Sequence, residues 1–115
     1  MQTFDIFALH ADVCKTLANP KRLMILALLA KGESSVGQIA EAIGAPLPNV
    51  SQHLTVLKSQ NLVLTRKEGQ MVYYRLADRR IIQACTLIRS VLLDQMKARG
   101  MVAQEADARY VVSGP

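Results

Sequence analysis

The spacing of apolar residues changes twice along this chain, and that change limits the fold more than any other feature. Up to Gln60, apolar residues recur three and four positions apart, which is typical of helices. Between Leu62 and Leu76 the chain becomes rich in Val, Thr and Tyr, which favour strands, and helical spacing returns after Asp78. A chain of 115 residues is long enough for one domain but not for two. We therefore expect a single, mainly α domain with one small β-hairpin.

Four helices are predicted before the hairpin, separated by short breaks. Pro20 ends the first helix near Asn19 and fits the first turn of the second. Ser34 and Ser35 offer caps for the third helix, and Gly44 turns the chain before the fourth. The first helix carries Phe4, Phe7, Ala11 and Cys14 on one face, and the others are expected at Lys21–Lys31, Val36–Ile43 and Leu47–Gln60.

The hairpin is followed by a long helix and a weakly patterned tail. Strands are predicted at Leu62–Arg66 and Met71–Leu76, joined by the segment Lys67–Gln70, which includes a glycine. Asp78 is expected to cap a final helix over Arg79–Arg99, which carries more apolar surface than a lone helix at the domain edge needs. Apolar residues recur at helical spacing along it: Ile81, Cys85, Ile88, Leu92 and Met96. We assign residues 1–99 to the domain and 100–115 to a tail expected to be mobile.

The net charge and the hydropathy of the chain limit the kinds of partner that we expect it to bind. The formal net charge is +5 and the isoelectric point is about 9.6, which favours a polyanion, although many small proteins are basic without such a partner. The first residues do not resemble a secretory signal. The longest apolar run, Leu23–Ala30, is far shorter than the about 20 residues that span a bilayer. We expect a soluble cytoplasmic protein without a membrane partner, whose Cys14 and Cys85 are thiols at rest.

The order of the predicted elements is that of a winged helix-turn-helix. In such a motif the second helix lies in the major groove and the first helix crosses the DNA backbone. The exposed candidates for base contacts on the fourth helix are Pro48, Asn49, Ser51, Gln52, His53 and Thr55. Its inward stripe is Val50, Leu54 and Leu57. For any one of these polar residues alone, a solvated helix face is the simpler explanation.

Cationic residues flank this predicted reading helix. Lys58 is placed to contact a phosphate, and the hairpin tip offers Arg66, Lys67 and Gln70 to a phosphate or to the minor groove. Glu68 on the same tip repels phosphate. A polar helix followed by a basic hairpin predicts double-stranded DNA as the partner.

Several segments resemble the ArsR/SmtB family of metal- and stress-sensing repressors. The resemblance implies a winged-helix homodimer joined through its first and last helices. It also implies a repressor of promoters that releases an inverted-repeat operator when an inducer binds. The resemblance covers Leu17–Leu76 and rests on Leu17–Leu26, Val36–Ala40, Val50–Leu57, Leu62-Val63 and Tyr73–Leu76.

The metal ligands of the best-known family members have no counterpart here. Metalloid sensors carry a Cys-x-Cys pair where this chain has Ser35 and Gly37, which cannot bind a soft ion as thiolates do. Zinc sensors carry Asp-x-His and a later His pair on the last helix. Here Asp78 is followed by two arginines, and no histidine occurs after His53, so that zinc site cannot be built.

Cys14 and Cys85 leave three alternatives open. They are a switch for oxidants or reactive sulfur, the ligands of a soft metal or trivalent arsenical together with His10, or inert packing residues. In the common dithiol members that the resemblance implies, one cysteine lies in the second helix, where this chain has Ala27. A disulfide requires Cα atoms within about 7 Å.

Two other functional classes compete with DNA binding. A winged helix also serves as a protein-interaction module, which the polar fourth helix and the basic hairpin argue against. An enzyme is the weakest reading, because the sequence shows no nucleophile–base–orienter set and no glycine-rich phosphate loop. We expect no cofactor.

Overall fold

A computed structural model of the chain describes residues 3–100. Five helices and a small sheet follow the predicted order. They are α1 Ile6–Leu17, α2 Pro20–Leu29, β1 Ser34–Ser35, α3 Val36–Ile43, α4 Leu47–Ser59, β2 Val63–Glu68, β3 Met71–Leu76 and α5 Arg79–Ala98. Nearly all of the predicted tail lies outside the described residues, so the boundary at residue 99 stays a prediction.

The helix ends follow local capping chemistry. The Asp5 carboxylate accepts from the Phe7 and Ala8 amides at 2.9 and 3.3 Å, and the Asn19 side chain accepts from the Arg22 amide at 3.2 Å. Asn19 therefore begins α2 rather than ending α1. Ser35 caps α3 in a reciprocal pair with Gln38, because it directly precedes the first helical residue, Val36, whereas Ser34 lies one residue too early.

The sheet has three strands where the sequence predicted a two-stranded hairpin. β1 pairs antiparallel with β3 through Ser34–Tyr74 and Ser35–Tyr73, and the strand order is β1-β3-β2. Two polar serines carry no strand signal of their own, since their extended conformation depends on the neighbouring strand. β1 ties the α2–α3 connection to the hairpin.

The hairpin connection is shorter than predicted. Pairing continues to Glu68 and Met71, so Lys67 and Glu68 are strand residues and the connection is Gly69-Gln70. Gly69 adopts a φ of 60°, which suits a two-residue turn between strands.

The core lies where α2, α3 and α4 meet the start of the sheet. Its largest fully buried side chains are Ile25, Leu26, Ile39, Val50, Leu54, Leu57 and Val63. The three from α4 are the predicted inward stripe, so burial holds this helix in one orientation. Within residues 3–100, no helix combines the length and the apolar character that crossing a membrane requires.

Candidate nucleic-acid interface

The turn between α3 and α4 is closed by glycine geometry and backbone hydrogen bonds. Gly44 ends α3 in the left-handed region, with φ 66° and ψ 41°, where a side chain is disfavoured. The Ala45 amide donates to the Ala40 carbonyl at 3.1 Å, and the Pro46 carbonyl accepts from Asn49 and Val50 at 3.0 and 3.1 Å. This arrangement is a helix-turn-helix with a defined start of its second helix.

The outer face of α4 is polar and contains no acidic residue. Five predicted contact residues are exposed, namely Pro48, Asn49, Gln52, Thr55 and Lys58. Ser51 is half-buried, and its carbonyl accepts from the Thr55 hydroxyl at 2.9 Å. The sequence analysis missed Ser59, which is exposed and lies one turn beyond Thr55. The sequence could have indicated Ser59, because it follows Gln52 and Thr55 at helical spacing.

His53 lies on the side of α4, next to its fully exposed outer face. It is half-buried, and its Nδ1 accepts from Arg22 Nε at 3.3 Å. Arg22 Nη1 also donates to the Thr16 carbonyl in α1, at 3.2 Å. Burial, followed by the charges of Arg22 and Lys21, lowers the pKa of His53. The sequence analysis did not identify Arg22, because the contact joins residues 31 positions apart.

At the hairpin tip, Arg66 is held by two carboxylates. The Arg66 guanidinium bonds both oxygens of Glu33, at 2.6 to 3.2 Å, and Glu68 at 2.6 Å. It also lies 4.8 Å from the centroid of the Tyr73 ring. These carboxylates raise the pKa of Arg66. They compete with phosphate for its donors, whereas Lys67 and Gln70 are exposed at the tip.

Two helices expose apolar faces that no residue of the described range 3–100 covers. Each of the large apolar residues on these faces is at least 46% exposed. A cluster of exposed large apolar residues on a small protein marks an interaction site. The residues are Phe4, Ile6, Phe7 and Leu9 at α1, with Leu87, Ile88, Val91 and Leu92 on α5.

Cys85 does not lie on the same side of α5 as Ile88 and Leu92, with which its helical spacing grouped it in the sequence. It is 5% exposed and lies with Ile82 and Thr86 on the buried side, while Ile88 and Leu92 are exposed. The reason is that the apolar residues of α5 form two stripes, one facing the core and one facing outward.

The two thiols lie close enough within one protomer for the charge of one to act on the pKa of the other. Burial raises the pKa of the Cys85 thiol, and the charge of Cys14 raises it further, whereas Arg89 lowers it. The Nε and Nη2 atoms of Arg89 are buried and find no hydrogen-bond partner in the described part of the chain. Cys14 itself is exposed. Burial outweighs the effect of the nearby cation, so the protonated thiol of Cys85 is favoured over the thiolate.

The predicted three-ligand metal set is not assembled in one protomer. Among residues 3–100, no group of three His, Cys, Asp or Glu side chains is placed to hold a metal ion. His10 and Cys14 are exposed on α1, while Cys85 faces the core. This corrects the alternative in which His10 joined the two cysteines.

Comparisons with known proteins agree with this architecture. A family model described as bacterial regulatory protein, arsR family, matches residues 19–65. The biofilm growth-associated repressor of Xylella fastidiosa is 36% identical over 87 residues, covering 76% of this chain and 76% of that protein.

Solved structures show the same fold. The homodimeric winged helix-turn-helix DNA-binding domain of a Mycobacterium bovis protein has a TM-score of 0.69 at 39% identity. The match covers 80% of this chain and 90% of that domain. The transcriptional repressor BigR from Xylella fastidiosa has a TM-score of 0.61 at 34% identity, over 82% and 87% of the two chains.

These similarities confirm the predicted winged helix-turn-helix and the resemblance stated from the sequence. They also confirm that the chain is a DNA-binding regulator and not an enzyme. The chain belongs to the arsR family of bacterial regulatory proteins.

Proposed function

We propose that the chain is a transcriptional repressor whose homodimer binds an inverted-repeat operator and leaves it when a chemical signal reaches Cys14 and Cys85. The observation that carries the DNA-binding part is the outer face of α4, which is exposed, polar and free of acidic residues. The related protein of Xylella fastidiosa is named a repressor, which supports the same direction of regulation.

A second copy of the chain is the proposed cover for the apolar faces of α1 and α5. The related domain from Mycobacterium bovis is homodimeric. A two-fold dimer presents two copies of α4 to one side of a duplex. Half-sites one helical turn apart, about 34 Å, are then read by the two copies, which is why we propose an inverted repeat.

Within each half-site, we assign base contacts to the exposed residues of α4. The amides of Asn49 and Gln52 can each form a bidentate pair with adenine, and the hydroxyls of Ser51 and Thr55 suit base edges or phosphate. Pro48 lies beside them at the exposed start of the helix. Lys58, Lys67 and Gln70 are exposed around this surface and suit the DNA backbone.

Selection of duplexes from a random pool, followed by fluorescence anisotropy, tests the proposed reading face. Gln52→Ala is expected to weaken binding to the selected inverted repeat by about 5- to 150-fold for each half-site, the range of one bidentate base contact. Binding to a random duplex is expected to change little. Gln95→Ala on α5 is the matched control, because it removes an exposed amide elsewhere.

Equal losses on the selected and random duplexes would contradict base contact by Gln52. Failure of the parent protein to bind any duplex at low salt would contradict DNA binding and favour the protein-interaction alternative.

The proposed signal acts through the two thiols. A hydroperoxide converts the exposed Cys14 thiol to a sulfenic acid and is itself reduced to an alcohol. The Cys85 thiol then displaces water, forming a disulfide between α1 and α5. Such a bond changes the packing of the helices that carry the apolar faces, and with it the spacing of the two α4 copies. A reactive sulfur species would act on the same pair.

Mass spectrometry paired with DNA binding tests the thiol proposal. The protein is treated with peroxide, an organic persulfide or a trivalent arsenic compound, and the Cys14→Ser and Cys85→Ser variants are the comparison. We expect a Cys14–Cys85 adduct with loss of DNA binding in the parent, and retained binding in both variants. If both variants release DNA as the parent does, the cysteines are packing residues.

A further inference from the structure

We infer that Lys21, Arg22 and His53 form one binding site for a phosphate of the DNA backbone, in which Arg22 holds His53 as a hydrogen-bond donor. This inference rests on the proposed function, because it concerns how the same α4 surface meets DNA. It reassigns His53 from reading bases to contacting the backbone, and it adds two residues that the sequence did not indicate.

Arg22 is fixed from both sides. It lies in the first turn of α2, where its amide donates to the capping side chain of Asn19 at 3.2 Å. Its Nη1 donates to the Thr16 carbonyl of α1, and its Nε donates to His53 Nδ1 of α4. The guanidinium therefore joins three helices, and its contacts with α1 and α4 fix its position.

The contact with Arg22 decides which nitrogen of His53 carries a proton. An Nδ1 that accepts a hydrogen bond cannot carry hydrogen, so the neutral ring is protonated at Nε2. In the described part of the chain, Nε2 forms no hydrogen bond, so the Nε2–H group remains a free donor. The lowered pKa of His53 keeps the ring neutral at pH 7 and preserves this arrangement.

Within residues 3–100, no ion pair neutralises the charge of this cluster. The cations of the described ion pairs are Arg66 and Arg80, and none of these pairs involves Lys21 or Arg22. The amino end of α2 adds the partial positive charge of the helix dipole. Two cations and a fixed N–H donor beside the reading helix match the charge and the acceptor oxygens of a phosphate that borders the groove.

Salt-dependent DNA binding separates this site from base readout. Lys21→Gln and Arg22→Met are compared with the parent on the selected inverted repeat and on a random duplex of equal length. Each is expected to weaken both complexes by the same factor, about tenfold. Each should also lower the slope of log K against log salt by about two for the homodimer, one phosphate per protomer.

Lys97→Gln is the matched control, because it removes one positive charge from the exposed end of α5. It is expected to leave the slope close to that of the parent. Lys21 is exposed and does not belong to the core, so its variant tests the site even if Arg22→Met unfolds. Thermal unfolding of each variant verifies that it is folded.

Nitrogen-15 NMR of the imidazole gives a readout that a purely structural role would not change. In the parent, His53 is expected to be the Nε2–H tautomer, and in folded Arg22→Met a mixture of both tautomers. The phosphate site is overturned if Lys21→Gln and Arg22→Met keep the slope of Lys97→Gln while the parent binds DNA. If the parent does not bind DNA, the proposed function fails instead.

Discussion

The imidazole of His53 can accept the hydrogen bond from Arg22 only in its neutral form. Protonation places a hydrogen on Nδ1, which is the accepting atom. In the folded protein, burial and the nearby cations lower its pKa below that of an unfolded chain. The native state therefore binds fewer protons than the unfolded state between these two pKa values. The contribution to stability is complete above the unfolded pKa, about 6.5, and is lost as pH falls below it towards the folded pKa.

We predict that the free energy of unfolding of the parent falls more between pH 7.5 and 5.5 than that of His53→Gln. Urea unfolding at each pH measures the difference. His10→Gln is the control, because His10 is exposed and bonds no residue in this way. If His53→Gln follows the parent at every pH, the lowered pKa of His53 has no effect on stability.

Individual residues were the hardest part of the site to predict from sequence. The exposed polar positions of α4 follow from helical spacing, because Val50, Leu54 and Leu57 define the opposite face. The partners of Arg66 and His53 do not, since Glu33 and Arg22 are distant in sequence and meet only after folding. Cys85 was assigned to the wrong stripe because α5 has apolar residues on two sides.

At the scale of elements, α4 is held in place by its buried stripe. Leu54 is fully buried, with neighbours from the core that joins α2, α3 and the sheet. Leu64, on β2, is 42% exposed. The orientation of the reading helix therefore depends on a few side chains that never touch DNA.

We predict that Leu54→Ala lowers the free energy of unfolding by about 2–5 kcal/mol, the range for truncating a buried leucine. Leu64→Ala, the matched control, is expected to cost clearly less than Leu54→Ala, because 42% of Leu64 is still exposed to water. Urea unfolding monitored by circular dichroism checks both values. Equal losses would mean that the α4 stripe is not the core of the domain.

The helices and strands were easier to predict from the sequence than the contacts between side chains, and the exception was β1. The helices and the hairpin carry their own signals of spacing, capping and turn residues, and α3 was predicted with its observed bounds. β1 could not be predicted, because Ser34 and Ser35 are extended only through pairing with β3. An element whose stability comes from its partner leaves no local pattern in the sequence.

At the scale of the whole molecule, the apolar faces of α1 and α5 are exposed to water in one protomer. Ile88 and Leu92 are 62% and 52% exposed in one protomer. We predict that Ile88→Glu converts the proposed homodimer to a monomer, because it places a charge in an apolar interface. Analytical ultracentrifugation measures the change.

The same variant should lose affinity for the inverted repeat far more than for a single half-site. Gln83→Glu is the control, since it places a carboxylate on the same helix at an exposed polar position. A dimeric Ile88→Glu protein with full affinity for the inverted repeat would place the interface elsewhere.

The DNA-reading part of the chain is joined to the proposed interface at both ends, since the backbone leaves α1 at Leu17 and returns to α5 at Arg79. Turning one pair of interface helices therefore turns the whole unit between them. One extra base pair between half-sites moves the second half-site by about 3.4 Å and about 35°. A dimer that holds its two α4 helices at one preferred angle therefore selects one distance between half-sites, independently of the bases it contacts.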